Sequence, residues 1–155
     1  MRIQLVTVGT RVPDWVDAGF QDYARRLPPQ WRLQLKTLRA AKRRMSTAGG
    51  CIAYEGDRLL AAVPRNNHVV ALHECGDAWC TEELAARIGQ WFHAGRDIAL
   101  IIGGPDGLAP ACLARANEQW SLSRLTLPHA LVRVIVAEQL YRASTIIRGH
   151  PYHRA

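Results

Sequence analysis

Two segments of this chain carry residues whose types and spacing could build a ligand site. The first is Ile102-Gly103-Gly104-Pro105-Asp106-Gly107-Leu108, directly after an apolar run. Glycine lets backbone amides and carbonyls approach a ligand closely. In parallel α/β sheets, ligands gather beyond the carboxyl ends of strands. The segment matches neither a dinucleotide fingerprint nor a P-loop, since no Lys-Ser/Thr pair follows it. A tight turn needing positive φ would account for the same glycines. The second segment is Ser121-Leu122-Ser123-Arg124-Leu125-Thr126-Leu127-Pro128-His129. Its alternating hydroxyl and apolar residues suit either a strand and turn or the lining of a pocket.

Two further groups of residues carry charge. Glu138 and Arg142 stand four apart on an apolar stretch that Arg133 interrupts, a spacing that allows an ion pair on one helix face. The C-terminus crowds His150, Tyr152, His153 and Arg154 around Pro151, a mixture suited to phosphate contact and base stacking. His73, Cys75 and Cys80 offer soft ligands of the kind zinc takes. They lack a paired C-x-x-C spacing, and Cys51 and Cys112 sit in unrelated segments. The four cysteines therefore read as reduced thiols packing like small hydrophobes, with no metal.

The elements that must hold these groups follow from periodicity. Ile3–Val8 reads as a strand ending at Gly9, and a helix begins at Pro13-Asp14 with Asp14 as its cap. Val16, Phe20, Tyr23, Ala24 and Leu27 recur at helical spacing until Pro28-Pro29. Arg32–Leu38 alternates like a strand. A basic flexible stretch follows, with Arg39, Lys42, Arg43 and Arg44 ahead of Ser46–Gly50, and then a short helix over Glu55–Ala62. His68–Leu72 is a strand. Thr81 caps a helix carrying Leu84, Ile88, Trp91 and Phe92 on one stripe, and Gly95 ends it. Asp97–Ile102 has the unbroken apolar character of a strand buried on both faces. A short helix from Pro110, a strand over Ser121–Leu125 and an apolar helix over Leu131–Thr145 complete the order. The last helix has so little polar surface that it suggests a subunit interface. Strands alternating with helices predict an α/β fold with a mainly parallel sheet, in one domain spanning residues 1–155.

At 155 residues and 48% hydrophobic content the chain can bury a core without staples. A net charge of +7 favours a polyanionic partner, nucleic acid or an acidic membrane surface. Ile3–Val8 is too short for a signal-peptide core, and no apolar run approaches the ~20 residues that span a bilayer. The expected location is the cytoplasm.

Read together and in order, these segments resemble one family. Val8-Gly9-Thr10 with Pro13-Asp14-Trp15, Ile102 to Gly107, Leu122 to Arg133 with Leu127-Pro128-His129, and His150-Pro151-Tyr152-His153-Arg154 are similar to the large-subunit rRNA pseudouridine N3-methyltransferases (the RlmH family) of the SPOUT superfamily. The likeness runs from Met1 to Ala155. It implies a SPOUT-type parallel sheet flanked by helices, with a C-terminal trefoil knot. It implies a homodimer that uses S-adenosyl-L-methionine to methylate a pseudouridine of large-subunit rRNA within the assembled ribosome. Position by position, the cofactor would lie against Leu72, Gly104, Ser123, Arg124, Leu125, Thr126, Leu127 and Pro128. Arg142, Tyr152, His153 and Arg154 would serve the RNA or the reaction, with the tail of one subunit reaching the cofactor of the other. His153 is the expected base or relay, Arg154 or Arg142 the expected anion stabiliser, and Arg124 with Lys42, Arg43 and Arg44 the expected phosphate contacts. His73 stands where the family commonly has Asp, and Asp77 where it often has Lys. The rival readings are a SPOUT enzyme acting on another RNA such as tRNA, a non-catalytic ribosome-binding factor, and a nucleotide-binding enzyme.

Overall fold

The computed structural model describes residues 1–42 and 47–154, and the side chains of all these except His153 and Arg154. Its strands are β1 (Arg2–Val8), β2 (Arg32–Leu38), β3 (His68–Ala78), β4 (Ile98–Ile102) and β5 (Glu118–Ser121). Its helices are α1 (Asp14–Arg26), α2 (Ala48–Ala62), α3 (Thr81–His93), α4 (Pro110–Arg115) and α5 (His129–Ile147), followed by a 3-10 turn over Pro151–Arg154. The strands form one sheet in the order β2-β1-β4-β3-β5, and every pairing is parallel.

β4 lies at the centre, and all five of its residues are buried. Successive side chains of a strand point to opposite faces, so Ile98, Leu100 and Ile102 enter one core and Ala99 and Ile101 the other. The first core packs Phe20 of α1, Leu84 and Ile88 of α3, and Val136 and Leu140 of α5 against the sheet. The second takes Leu59 of α2 and Cys112 of α4. Each such Leu, Ile or Phe contributes about 1.5–3 kcal/mol when withdrawn from water. Ala99, the one small residue of β4, lies in the core that α2 and α4 cover.

Several boundaries differ from the sequence expectation, each for a local reason. Pro13 rather than Asp14 is the N-cap of α1, and Asp14 is its first residue, where its charge faces the positive helix end. Cys80 rather than Thr81 caps α3; its backbone N–H donates to the Glu83 carboxylate at 2.8 Å. The Thr81 hydroxyl instead donates to Gln139 of α5 at 3.1 Å. α2 begins at Ala48, because the Thr47 hydroxyl accepts from Gly50 N–H and offsets the helix penalty of Gly49 and Gly50. Cys51 and Cys112 are buried as expected, but Cys75 and Cys80 are exposed, so only half the thiols act as small hydrophobes. Arg43 and Arg44 lie outside the described residues.

β5 ends where the sequence placed its start. Its four residues pair with β3, and the register jumps between Leu72 and Asp77. Gly76 sits in that bulge, where a Cβ would come within 2.7 Å of the Gln119 carbonyl carbon. Pairing resumes beyond the bulge up to Ala78 and Ser121, and residues 122–128 then run as a loop. At the opposite end of β5, Glu118 accepts from Trp91 Nε1 at 2.8 Å, meets His68 Nε2 at 2.7 Å and pairs with Arg87. One carboxylate thus ties the edge strand to β3 and α3. Among the described residues no helix is long and apolar enough to cross a membrane.

Removing that carboxylate strands three donors in a partly buried place. Glu118→Ala is expected to lower the unfolding free energy by about 2–4 kcal/mol, measured by urea denaturation. A loss under 1 kcal/mol would mean that the edge strand is held by its backbone ladder alone.

Candidate functional site

The ends of β3, β4 and β5 open into a cleft of about 540 Å³. Leu72, His73 and Glu74 form one side, Ile102–Leu108 the second, and Ser121–Ser123 with Leu125–Leu127 the third. His129 and Val132 of α5 contribute to the same wall. The cleft therefore gathers the two segments that the sequence singled out.

The glycines are set by crowding more than by backbone angle. A Cβ on Gly103 would overlap the Gly107 carbonyl and come within 2.8 Å of Leu108 N. A Cβ on Gly104 would collide with the Glu55 carboxylate. Of Gly103, Gly104 and Gly107, only Gly107 has positive φ, at 94°. Its N–H donates to Gly104 O at 3.0 Å and closes the turn. The third wall is held by serines: Ser121 Oγ donates to Ser123 O at 3.2 Å, and Leu125 N–H donates to Ser123 Oγ at 2.9 Å. Leu125 stands 76% exposed at the tip, an apolar side chain offered to whatever enters.

Behind this wall lies a polar group that the sequence reading missed. Glu55 is 4% exposed; its Oε1 accepts from Ala41 N–H at 2.9 Å, and its Oε2 has no hydrogen-bond partner among the described residues. Arg133 is 1% exposed; it donates to the Gly9 carbonyl, while its Nε has no partner among the described residues. Between them His129 Nε2 lies 3.0 Å from Thr7 Oγ1. Burial, and then the Arg133 cation, push the His129 imidazole below its ordinary 6.5, while the Val8 carbonyl and Glu55 oppose the shift. Glu55 was detectable in principle. Cys51, Glu55 and Leu59 fall on one buried helix stripe, but the stripe shows only once α2 is extended back to Ala48.

Six of the eight expected cofactor contacts line the cleft: Leu72, Gly104, Ser123, Leu125, Thr126 and Leu127. Arg124 and Pro128 belong to the same loop and are exposed. The other expected group lies elsewhere. Arg142 pairs with Glu138 at 2.7 Å and stacks over the Tyr152 ring at 4.9 Å, and Tyr152 packs on Tyr141 at 4.7 Å. Burial, with Tyr23 and Glu138 nearby, raises the Tyr152 hydroxyl to about 12, so it stays protonated and can donate. Neither Arg142 nor Tyr152 lines the cleft of its own chain. The side chains of His153 and Arg154 lie outside the described residues. Among the described residues, no three His, Cys, Asp or Glu stand together to hold a metal ion.

With this geometry in place, comparison with known proteins is decisive. Residues 1–153 match the family described as "Predicted SPOUT methyltransferase". The chain belongs to the SPOUT methyltransferase family. It is 54% identical over 155 residues to the ribosomal RNA large subunit methyltransferase H of Methylococcus capsulatus, covering 99% of this chain and 100% of that relative. Among solved structures, a probable methylase family protein of Haemophilus influenzae superposes with a TM-score of 0.53 at 12% identity, covering 97% of this chain and 69% of the other. TrmJ of Z. mobilis superposes with a TM-score of 0.52 at 16% identity, covering 92% and 70%. At those identities the two structures speak for the shared SPOUT fold alone. The parallel sheet flanked by helices is thus both observed and that of the family.

Gly104 and Glu55 offer a direct test of the wall. Gly104→Ala is expected to cost about 1–3 kcal/mol of stability through overpacking. Combining it with Glu55→Ala should recover at least about 1 kcal/mol in a double-mutant cycle. Strict additivity of the two changes would show that the carboxylate does not press on the loop.

Proposed function

We propose that this chain is an S-adenosylmethionine-dependent methyltransferase of large-subunit ribosomal RNA, acting on N3 of a pseudouridine in the assembled ribosome. The observation that carries this reading is the full-length, 54% identical relative named ribosomal RNA large subunit methyltransferase H. The net charge of +7 fits a polyanionic substrate. The same reading includes a homodimer, a trefoil knot holding the cofactor loops, and a cytoplasmic location.

The cleft suits the cofactor. Its volume of about 540 Å³ lies within the range of small-molecule sites. Gly103 and Gly104 keep side chains away from one wall, as a ligand held by backbone groups requires. Leu72 and Leu127 supply apolar contact, and Ser123 and Thr126 supply hydroxyls. In this reading Leu72, Gly104, Ser123, Arg124, Leu125, Thr126, Leu127 and Pro128 hold the cofactor. Bound there, S-adenosylmethionine supplies a methyl carbon activated by positively charged sulfur.

The protein's task is then to align the acceptor and manage its proton, since alignment alone supplies much of the rate enhancement. The acceptor side is completed by Arg142, Tyr152, His153 and Arg154 from the partner's tail. The separation of Arg142 and Tyr152 from the cleft of their own chain supports this sharing. Tyr152 acts as a donor, Arg142 or Arg154 stabilises negative charge on the imide, and His153 relays its proton. Arg124, Lys42, Arg43 and Arg44 contact phosphates.

The test is methyl transfer from labelled S-adenosylmethionine to unmethylated assembled ribosomes and, separately, to naked rRNA, with mapping of the product. Methyl at a pseudouridine N3 on ribosomes is expected. Transfer to tRNA alone would replace the substrate and keep the class. A chain ending at Pro151 should bind the cofactor within about threefold of the intact protein yet transfer nothing. Near-normal turnover by that chain, or by His153→Ala, would remove the tail from the reaction.

A further inference from the structure

His129 is a titratable group of the cleft that is held from behind by Thr7. His73 accepts from Cys75 N–H at 3.3 Å on the outward bulge, and Glu74 and Asp106 lie at exposed positions. His129, the first residue of α5, is half-buried in the wall itself. The Thr7 hydroxyl donates to the Val8 carbonyl at 3.3 Å, so its oxygen is left to accept from His129. With the ring hydrogen on Nε2, facing the Thr7 oxygen, and with the Val8 carbonyl also accepting from the ring, the lone pair is on Nδ1, for which no hydrogen bond is seen among the described residues. Placement at a helix N-terminus also disfavours a charged ring.

Two buried charged side chains, Glu55 and Arg133, act on the ring. Bringing an ion into a protein interior costs several kcal/mol unless it is fully paired. Glu55 and Arg133 each keep an unpartnered buried polar atom, yet neither forms an ion pair among the described residues. Both act electrostatically on His129, from α2 and from α5, and Asp17 of α1 acts on Arg133 in turn. Burial first, and then the Arg133 guanidinium, disfavour the charged ring, while the Val8 carbonyl and the Glu55 carboxylate oppose that shift and steady the imidazolium once it forms.

We propose that His129 takes the proton from the target base as the methyl group is transferred, with Thr7, Glu55 and Arg133 as positioning residues behind the wall. This rests on the methyltransferase reading above and names the first proton acceptor, upstream of any relay by the tail. The N–H bond of the imide breaks and its proton goes to Nδ1. The nitrogen pair forms the new bond to the methyl carbon, and the carbon–sulfur bond breaks with its pair remaining on sulfur. The products are the N-methylated base, the neutral thioether and an imidazolium, which then passes its proton on to the tail relay and so to water.

The experiment is single-turnover methyl transfer to unmethylated ribosomes from pH 5 to 9, beside a pH titration of the His129 ring by NMR on the protein alone. The wild-type rate should be level near neutrality and fall as pH drops through a midpoint below 6.5, with the ring titrating at the same midpoint. His129→Gln should bind S-adenosylmethionine within about threefold of wild type, lose about 10²–10⁴-fold in rate at pH 7 and lose the acid limb. Glu55→Gln removes an anion and so should move the ring midpoint and the acid limb downward together. A His129→Gln rate within about threefold of wild type would overturn the proposal while leaving the methyltransferase reading intact. So would an acid limb that stays put when the Glu55→Gln ring midpoint moves, a result that holds even if His129→Gln fails to fold. Wild-type protein that transfers no methyl group to any RNA would overturn both.

Discussion

Between the end of β4 and the Glu55 carboxylate there is no room for a side chain, and the rest of the site is arranged around that fact. The central strand is buried along its whole length, so the chain leaving it must turn within the packed layer between sheet and α2. Gly103 and Gly104 make the turn possible, Gly107 closes it, and the outward bulge of β3 after Leu72 opens space on the other side. The cleft is the gap that these two departures from regular sheet geometry leave. Its position beyond the strand ends follows from the parallel topology. Its depth follows from the missing side chains.

α5 connects that gap to everything else. Its apolar positions complete the core over β1 and β4, while its first turn places His129 in the cleft and Arg133 beneath the Gly9 carbonyl. Its last turns carry Arg142, beside Tyr152 and away from the cleft. One rigid helix therefore holds two sets of polar groups at opposite ends. On the proposed reading, a second chain brings the far end of its helix to the first, and apolar positions of α5 remain for such a contact. Val134, Ile135 and Ile146 remain only partly buried, and Ile147 is exposed.

The sequence made most of the framework legible because the framework is periodic. All five strands and all five helices were found in order, and β4 was read as doubly buried from its apolar run. The failures cluster where a local rule yields to packing. α2 was shortened because Gly49 and Gly50 read as loop, whereas the Thr47 cap and burial of Cys51 sustain the helix. β5 lies earlier than the alternation of Ser121–Leu125 suggests, because β3 ends at Ala78, which pairs with Ser121 and leaves the residues after it without a partner strand. The cofactor loops were visible as glycines and hydroxyls. Glu55 was not, since the buried side of α2 became known only with its length, and Arg133 stood out only as a break in an apolar face. His129 was seen as part of a motif with no task, because nothing in a sequence places Thr7 against it across 122 residues.

On the proposed reading, charge and shape divide the work. Exposed cations such as Arg11, Arg39, Lys42 and Arg124 are screened by salt and carry no sequence information, so they can supply affinity for a folded polyanion but not choose one base within it. The buried charges behave oppositely. Glu55 and Arg133 are buried, where counterions screen them little, and both act on His129. Salt should therefore weaken docking steeply while leaving the chemistry of an already docked complex almost unchanged. A site whose selectivity came from its surface cations would lose both together. Setting the acid–base group in the cleft wall, with its charged neighbours buried behind it, separates the two.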